Sequence, residues 1–168
     1  LLEDFKAKAT FFCLGKNVEA NPDVYHEIVD SGHSTGNHTY SHVNGWKSSL
    51  QDYANNVHLA AHYIHSVLFR PPYGKIRPPQ IKLLKMHYKI FLWDLLTHDY
   101  NANLPPKRIF SRIQKFAKPG SILVFHDSEK AENNLKQVLP EILKHYSNEG
   151  CVFSAIPMKT TADQPVKE

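Results

Sequence analysis

Residues 7–37, AKATFFCLGKNVEANPDVYHEIVDSGHSTGN, contain the strand–helix–strand pattern that decides the fold. The segment Ala7–Leu14 is short, mostly apolar and rich in β-forming residues, which predicts a strand buried on both faces. Asn21 and Pro22 suit the N-cap and the first position of a helix, and a glycine follows the expected end of that helix. The next short strand is expected at residues 33–37.

The same alternation continues along the rest of the chain. Further strands are predicted at residues 67–69, 88–95, 121–125 and 150–155, and further helices at 49–66, 78–87, 105–117 and 129–146. This alternation favours an α/β domain with parallel strands, in which sites form at the carboxyl ends of the strands. Residues 1–6 look like the last turns of an amphipathic helix without an N-cap, so we expect the sequence to begin inside an element.

The composition is that of one globular domain. The chain has 168 residues, of which 42% are hydrophobic, and we expect a domain over residues 1–157 and a polar tail at 158–168. The longest apolar runs, Ile90–Trp93 and Ile122–Phe125, are far shorter than the roughly 18 residues of a membrane span. The net charge of +4 comes from scattered Lys and Arg residues, so no nucleic-acid partner is expected.

Histidine is the residue type in excess. The chain has 11 histidines, against about four expected from ordinary amino-acid usage. Histidine is the commonest metal ligand and the usual general acid or base near neutral pH, so the histidine positions guide the search for a site. The two cysteines, Cys13 and Cys151, each lie in an apolar run and are expected to be buried thiols.

The segment Gly36–His42, GNHTYSH, places two histidines four residues apart directly after a predicted strand. On a helical turn, His38 and His42 would share one face and could bind one divalent ion. The alternative is a solvent-facing pair. The small polar residues around the pair, and the lack of an amphipathic helix there, favour a metal site.

The segment Arg70–Gly74, RPPYG, follows another predicted strand. Two prolines stiffen the backbone, so this loop can present an arginine and a backbone N–H at a fixed place. The alternative is a rigid turn with a surface arginine.

Two further polar clusters follow strands. Residues 93–100, WDLLTHDY, include Asp94, which lies inside a strand pattern, where a buried carboxylate would need a partner. His126 follows the apolar run 122–125 and could point into the mouth of a parallel fold. For residues 93–100, the alternative is a strand end in contact with solvent. For His126, the alternative is a hydrogen-bonded histidine beside a helix-capping Asp127.

Together, these four clusters in this order resemble the polysaccharide deacetylases with the NodB-type domain, carbohydrate esterase family 4. The resemblance covers residues 6–157 and includes the strand segment KATFF at residues 8–12. It implies an irregular (β/α) barrel with fewer strands than the eight-stranded parent. It also implies an enzyme, a hydrolase of carbon–nitrogen bonds other than peptide bonds, that removes N-acetyl groups from amino sugars and releases acetate.

The resemblance also implies roles for individual residues. His38 and His42 would bind Zn²⁺ or a similar divalent ion, and His126 would protonate the leaving amine. The backbone N–H of Tyr73 would help to hold the developing oxyanion, and Arg70 would orient the catalytic base carboxylate. The remaining assignments are Asp99, which matches the family's second Asp, and Tyr100 and Val124, which fall at the apolar walls around the acetyl methyl group.

The sequence departs from the family pattern in two places. The family's first motif, a Thr-Phe-Asp-Asp-Gly run that supplies the base and the third metal ligand, does not occur here. We expect it upstream of Leu1, and a molecule that began at Leu1 would have negligible deacetylase activity. Leu96 stands where the Asp that tunes the catalytic His is common, and Tyr100 replaces Trp. We hypothesise that Asp94, two residues before Leu96 and on the same strand face, takes over that tuning.

Three functions are therefore considered. The first is metal-dependent deacetylation of a polysaccharide or oligosaccharide that contains N-acetylglucosamine. The second is hydrolysis of a small non-sugar amide by the same fold. The third is a catalytically silent sugar- or metal-binding domain, if the Asp pair is absent. Work at the cell envelope or outside the cell would follow from family analogy alone.

Overall fold

Two units, each built on its own parallel sheet, make up residues 1–158, which the computed structural model describes. Of the described residues, the larger unit comprises 8–91 and 154–158, and the smaller unit comprises 1–7 and 92–153. Whether residues 1–157 form one domain stays a prediction. Apart from Met158, the predicted tail lies outside the described residues.

The larger unit has a four-stranded parallel sheet in the order β1-β2-β3-β4. Its strands are β1 (Thr10–Cys13), β2 (Ser34–Asn37), β3 (Leu68–Phe69) and β4 (Lys89–Ile90), and its helices are α1 (Gly15–Ala20), α2 (Pro22–Asp30), α3 (Leu50–Ala61) and α4 (Pro78–Leu84). In the register, Cys13 pairs with Asn37, Asn37 with Phe69, and Phe69 with Ile90. The four strands therefore end side by side, and the residues that follow them emerge at one edge.

The smaller unit has a two-stranded parallel sheet of β5 (Leu95–Leu96) and β6 (Leu123–Val124). Leu95 pairs with Leu123 and Leu96 with Val124. The helices α5 (Pro106–Phe116) and α6 (Glu132–Asn148) pack against each other, and a short 3₁₀ turn, Glu3–Phe5, contacts α6. This register brings the segment after Leu96 beside the segment after Val124.

Each unit buries its own apolar clusters. In the smaller unit the buried cluster consists of Leu95, Ile109, Ile113, Val138 and Ile142. In the larger unit there are two clusters: Val18, Tyr25, Ala60 and Ile64 in one, and Tyr53, Val57, Phe69 and Leu84 in the other. Among the described residues, no helix is both long and apolar enough to span a bilayer.

The starts of two helices agree with the sequence. Of the two serines expected to cap α3, Ser48 or Ser49, it is Ser49 that forms the N-cap and accepts a hydrogen bond from the Asp52 N–H. Pro22 is the first residue of α2, as predicted. The end of α3 was predicted too late, because the helix ends at Ala61. Helix α1 was not predicted at all.

Some predicted strands and burial patterns were wrong. The strand predicted at 88–95 is divided between β4 and β5, which belong to different sheets. No strand forms at 150–155; instead, the backbone at Ile156 is hydrogen-bonded to the hydroxyls of Ser34 and Thr10. Strand β1 is half-buried because it pairs with only β2 among the described strands.

Two smaller predictions also need correction. Residues 1–6 contain a 3₁₀ turn rather than the end of an α-helix, and Lys6 ends this turn in the left-handed conformation. Cys13 and Cys151 are half-buried, not buried.

Candidate functional site

The loop that begins at His38 leaves the carboxyl end of β2. The His38 N–H donates to the Cys13 carbonyl at 2.9 Å, so the sheet ladder continues one residue beyond the strand. Thr39 and His42 have φ values of 67° and 60°, which turn the chain without forming a helix. The helical turn expected for His38 and His42 is therefore wrong, although their ring centroids are only 5.0 Å apart.

The His38 ring is oriented by the backbone of the next strand exit. Its Nδ1 lies 2.6 Å from the Arg70 carbonyl oxygen, which can only accept, so Nδ1 carries the proton. The lone pair is then on Nε2, as in metal-binding histidines that are oriented in this way. The pair of imidazoles fits two ligands of a divalent metal ion. Within residues 1–158, no group of three or more His, Cys, Asp or Glu side chains is placed to hold a metal.

Two asparagines hold the loop, and sequence reasoning missed both as site residues. The Asn37 side chain is fully buried and accepts the Thr39 N–H at 2.8 Å. Asn56, on α3, accepts the N–H groups of Tyr40 and Ser41 at 2.9 and 3.0 Å and donates to the Ser41 hydroxyl at 3.0 Å. Asn37 lies inside the quoted motif, whereas nothing in the local sequence marks Asn56.

Arg70 is buried, with 8% of its surface exposed, so the surface-arginine alternative is wrong. Its guanidinium carbon lies 4.0 Å from the centroid of the Phe12 ring, and its Nε donates to the Phe91 carbonyl at 3.4 Å. Burial lowers the pKa of Arg70 to about 10. The Arg70 N–H donates to the Asn37 carbonyl, which fixes the arginine beside the start of the histidine loop.

The proline-rich loop continues into the 3₁₀ turn Pro72–Gly74. Tyr73 has a φ of 60° there, and its ring packs edge-on against His42 with a centroid distance of 4.5 Å. The N–H of Gly74 donates to the Pro71 carbonyl, and this bond closes the turn. The larger unit therefore brings His38, His42, Arg70 and Tyr73 into one cluster.

In the smaller unit, Asp99 is fully buried and is hydrogen-bonded to His126 twice. Its Oδ1 lies 2.7 Å from His126 Nδ1, and its Oδ2 accepts the His126 backbone N–H at 2.7 Å. The Thr97 hydroxyl lies 2.7 Å from the Val124 carbonyl oxygen and 3.0 Å from Asp99 Oδ1, and its single proton lies between these two acceptors. This arrangement holds the His126 side chain, 37% of which is exposed, by its Nδ1 edge.

Asp94 does not contact His126, so the hypothesis that it takes over the tuning of that histidine is wrong. Asp94 is exposed, and its Oδ2 accepts the Ile122 N–H at 2.7 Å, next to the start of β6. Asp99 makes the contact with His126 because it lies beyond the end of β5, in the segment that the register places beside His126. The helix-capping role considered for Asp127 is also wrong, since α6 begins only at Glu132.

Two neighbours complete the surroundings of His126. The Tyr100 ring meets the His126 ring edge-on, with centroids 4.9 Å apart, and the Tyr100 hydroxyl is hydrogen-bonded to His98 Nδ1 at 3.0 Å. Burial, with a smaller contribution from nearby Arg112, lowers the pKa of His98. Val124 is buried in β6 and binds Thr97 through its carbonyl.

Two curated relatives are peptidoglycan-N-acetylglucosamine deacetylases of Bacillus cereus. One is 30% identical over 163 residues, covering 93% of this chain and 76% of the relative. The other is 29% identical over 164 residues, covering 93% of this chain and 59% of the relative. The chain thus spans only part of the length of each.

Solved structures show the same fold. A peptidoglycan N-acetylglucosamine deacetylase in complex with 4-naphthalen-1-yl-N-oxidanyl-benzamide has a TM-score of 0.85 at 29% identity, covering 93% of this chain and 76% of that chain. A family 4 pseudoenzyme from Bacillus anthracis has a TM-score of 0.78 at 23% identity, covering 92% and 56%, and shows the fold alone. The predicted NodB-type α/β fold is therefore confirmed. Residues 1–88, just over half of the 168-residue chain, match the family described as polysaccharide deacetylase, and the chain belongs to this family.

Proposed function

We propose that the protein hydrolyses N-acetyl groups from a saccharide that contains N-acetylglucosamine and releases acetate. The observation that carries this proposal is the buried Asp99 carboxylate, which holds the Nδ1 edge of His126 at 2.7 Å. Membership of the family and the activities named for the Bacillus cereus relatives support it. Because the chain spans only part of those relatives, their substrate comes to this chain as a proposal.

His126 is the proposed general acid. Its Nδ1 proton is held by Asp99, so the proton that it transfers is the one on Nε2. In the reaction, a water oxygen bonds to the acetamide carbonyl carbon while a carboxylate base takes one proton from that water, and the bond from the carbon to the sugar nitrogen breaks. The leaving nitrogen takes the Nε2 proton from His126, which gives a free amine and acetic acid, and the acid ionises to acetate in neutral solution.

His38 and His42 are the residues that would hold a divalent cation, with Zn²⁺ as the first candidate. When bound, such an ion would polarise the acetamide carbonyl and lower the pKa of a bound water. Arg70 would orient the carboxylate that serves as base, and the backbone N–H of Tyr73 would stabilise the developing oxyanion. We assign no residue of this chain as that carboxylate.

The surroundings of His126 suggest where the acetyl methyl group is held. The proposal places Tyr100, which packs edge-on against the imidazole, and the buried Val124 at the wall of the acetyl pocket. Both side chains offer apolar surface, which suits a methyl group and excludes water from the scissile bond.

The test is acetate release by the Zn²⁺-supplied protein from chitooligosaccharides, peptidoglycan fragments and small cyclic amides. We expect release from at least one N-acetylated saccharide, and a rate lower by roughly 10²–10⁴-fold in His126→Gln, as for loss of a general acid. His87→Gln, which removes an exposed histidine three residues after the end of α4, is the matched control and should keep the parent rate. Turnover of the cyclic amides alone would overturn the saccharide assignment.

A second candidate is a catalytically silent domain that binds a metal or a sugar. One observation favours a domain without catalysis: residues 1–158 provide no group of three or more His, Cys, Asp or Glu side chains placed to hold a metal. Binding of Zn²⁺ and of a chitooligosaccharide, with no acetate released from any saccharide, would support this function and overturn the hydrolase.

A further inference from the structure

We propose that α3 carries a second site for a borderline transition-metal cation, formed by His58 and His62. These two histidines are exposed and lie four residues apart on α3, with His62 as its C-cap. Because residues at this spacing share one helix face, both imidazoles point away from the buried face of Tyr53, Val57 and Ala60. Unlike His38 and His42, this pair does have helical geometry.

The distance between the two rings fits one shared ion. Two imidazoles on one tetrahedral ion, with metal–nitrogen distances of about 2.1 Å, have centroids roughly 5 Å apart. The rings of His58 and His62 have a centroid distance of 5.2 Å, and those of His38 and His42 one of 5.0 Å. The exposed pair therefore needs little rearrangement to chelate a cation.

The electric field at this end of α3 also favours a cation. The helix dipole places partial negative charge on the carbonyl groups of the last turn, where His58 and His62 lie. The sequence of α3, LQDYANNVHLAA, contains no Lys or Arg and one Asp, so no positive charge on the helix opposes binding.

The two imidazoles determine which class of cation the site can bind. Neutral imidazoles suit Ni²⁺, Cu²⁺ and Zn²⁺ and do not suit Mg²⁺ or Ca²⁺, which prefer oxygen ligands. Since the described residues contain no cluster of three ligands, water would complete the coordination, and the ion would exchange readily. Protons compete for the same lone pairs, so the affinity should fall as the pH is lowered.

This site bears on the proposed catalytic metal without depending on it. Asn56, which holds the His38–His42 loop by three hydrogen bonds, lies on the same helix two residues before His58. An ion that links His58 to His62 fixes the last turn of the helix that carries this asparagine. A site on α3 also means that the chain could bind more than one metal ion. The metal content of the protein alone would then not show whether His38 and His42 bind a metal.

Calorimetric titration of the full chain with Ni²⁺ tests the proposal. His58→Gln and His62→Gln should each bind one Ni²⁺ fewer than the parent, or bind it on the order of 100-fold more weakly, because the second imidazole acts at a high effective concentration. His87→Gln should bind like the parent. In the NMR spectrum, the signals of the His58 and His62 rings should broaden together as Ni²⁺, which is paramagnetic, is added.

The outcomes separate this site from the proposed function. If the parent binds one Ni²⁺ and both His58→Gln and His62→Gln bind none, the bound ion is the one on α3. The site on α3 is then supported, although His38 and His42 bind no Ni²⁺. If the helix variants keep the parent's Ni²⁺ stoichiometry and affinity, the site on α3 does not exist. Because both histidines are exposed, the metal-free variants should melt like the parent, which serves as the folding control.

Discussion

Replacement of Asp99 by asparagine removes one oxygen from a carboxylate that uses both of its oxygens on His126. Asp99 Oδ1 accepts the Nδ1 proton and Oδ2 accepts the backbone N–H, each at 2.7 Å. An amide has one oxygen, so its NH₂ group must face one of these two positions. If the NH₂ group faces the His126 backbone N–H, two donors face each other at a fully buried position. If it faces Nδ1, that nitrogen must accept the hydrogen bond, so the imidazole proton must be on Nε2.

The magnitude follows from these two choices. Loss of a charge-assisted hydrogen bond, or a buried donor without an acceptor, costs about 1–3 kcal/mol. We therefore expect Asp99→Asn to lower the free energy of unfolding by about 1–3 kcal/mol, which a domain of ordinary stability survives. The loss of the oriented acid should reduce acetate release by roughly 10²–10⁴-fold.

Three measurements on one pair of variants check this reasoning. Urea denaturation gives the stability, nitrogen-15 NMR gives the His126 tautomer, and acetate release gives the rate. Asp94→Asn is the matched control, because Asp94 is exposed and an asparagine oxygen can still accept the Ile122 N–H. An Asp99→Asn protein with parent stability, the Nδ1–H tautomer and the parent rate would refute the role assigned to Asp99.

Three further predictions concern the larger unit. Asn56→Ala should lower the free energy of unfolding, measured by urea denaturation, by about 2–3 kcal/mol, since three hydrogen bonds are lost. The exposed Asn55→Ala is the control, and an Asn56→Ala protein as stable as this control would contradict the prediction. Gly45→Ala should cost about 1–3 kcal/mol, because a Cβ there would overlap the Lys75 carbonyl oxygen; an unchanged melting temperature would count against that packing. Burial lowers the pKa of His33 below its ordinary 6.5, so the unfolded chain takes up this proton first and stability should fall as the pH drops below 6.5. His33→Gln should flatten that part of the stability–pH curve, and a variant with the parent slope would exclude His33 as the cause.

The corrections to the sequence predictions have a common physical origin. The pattern around Asp94 predicted one strand over 88–95, because apolar residues continue through it, yet β4 and β5 pair with different partners. Hydrogen-bond partners are not encoded in a local pattern. The apolar pattern therefore predicted that Asp94 is buried, whereas Asp94 is exposed in the structure.

Order along the chain was a better guide than local geometry for the candidate site. His38 and His42 were expected together on a helical turn, and they are together, but left-handed backbone at Thr39 and His42 brings them into contact. The stiff loop after β3 was expected to present an arginine, and Arg70 is indeed fixed there. The catalytic, metal-binding and pocket roles of these residues stay predictions.

The sequence by itself determined the α/β class, the starts of α2 and α3, and the four polar segments that follow strands, because caps, prolines and apolar periodicity act over a few residues. Only the tertiary structure decided which side chains meet. The register of β5 and β6 brings Asp99 to His126, and α3 brings Asn56 to the loop that carries His38 and His42. These contacts join residues 15 or more positions apart, and their existence depends on strand pairing and helix packing, which no short stretch of sequence specifies.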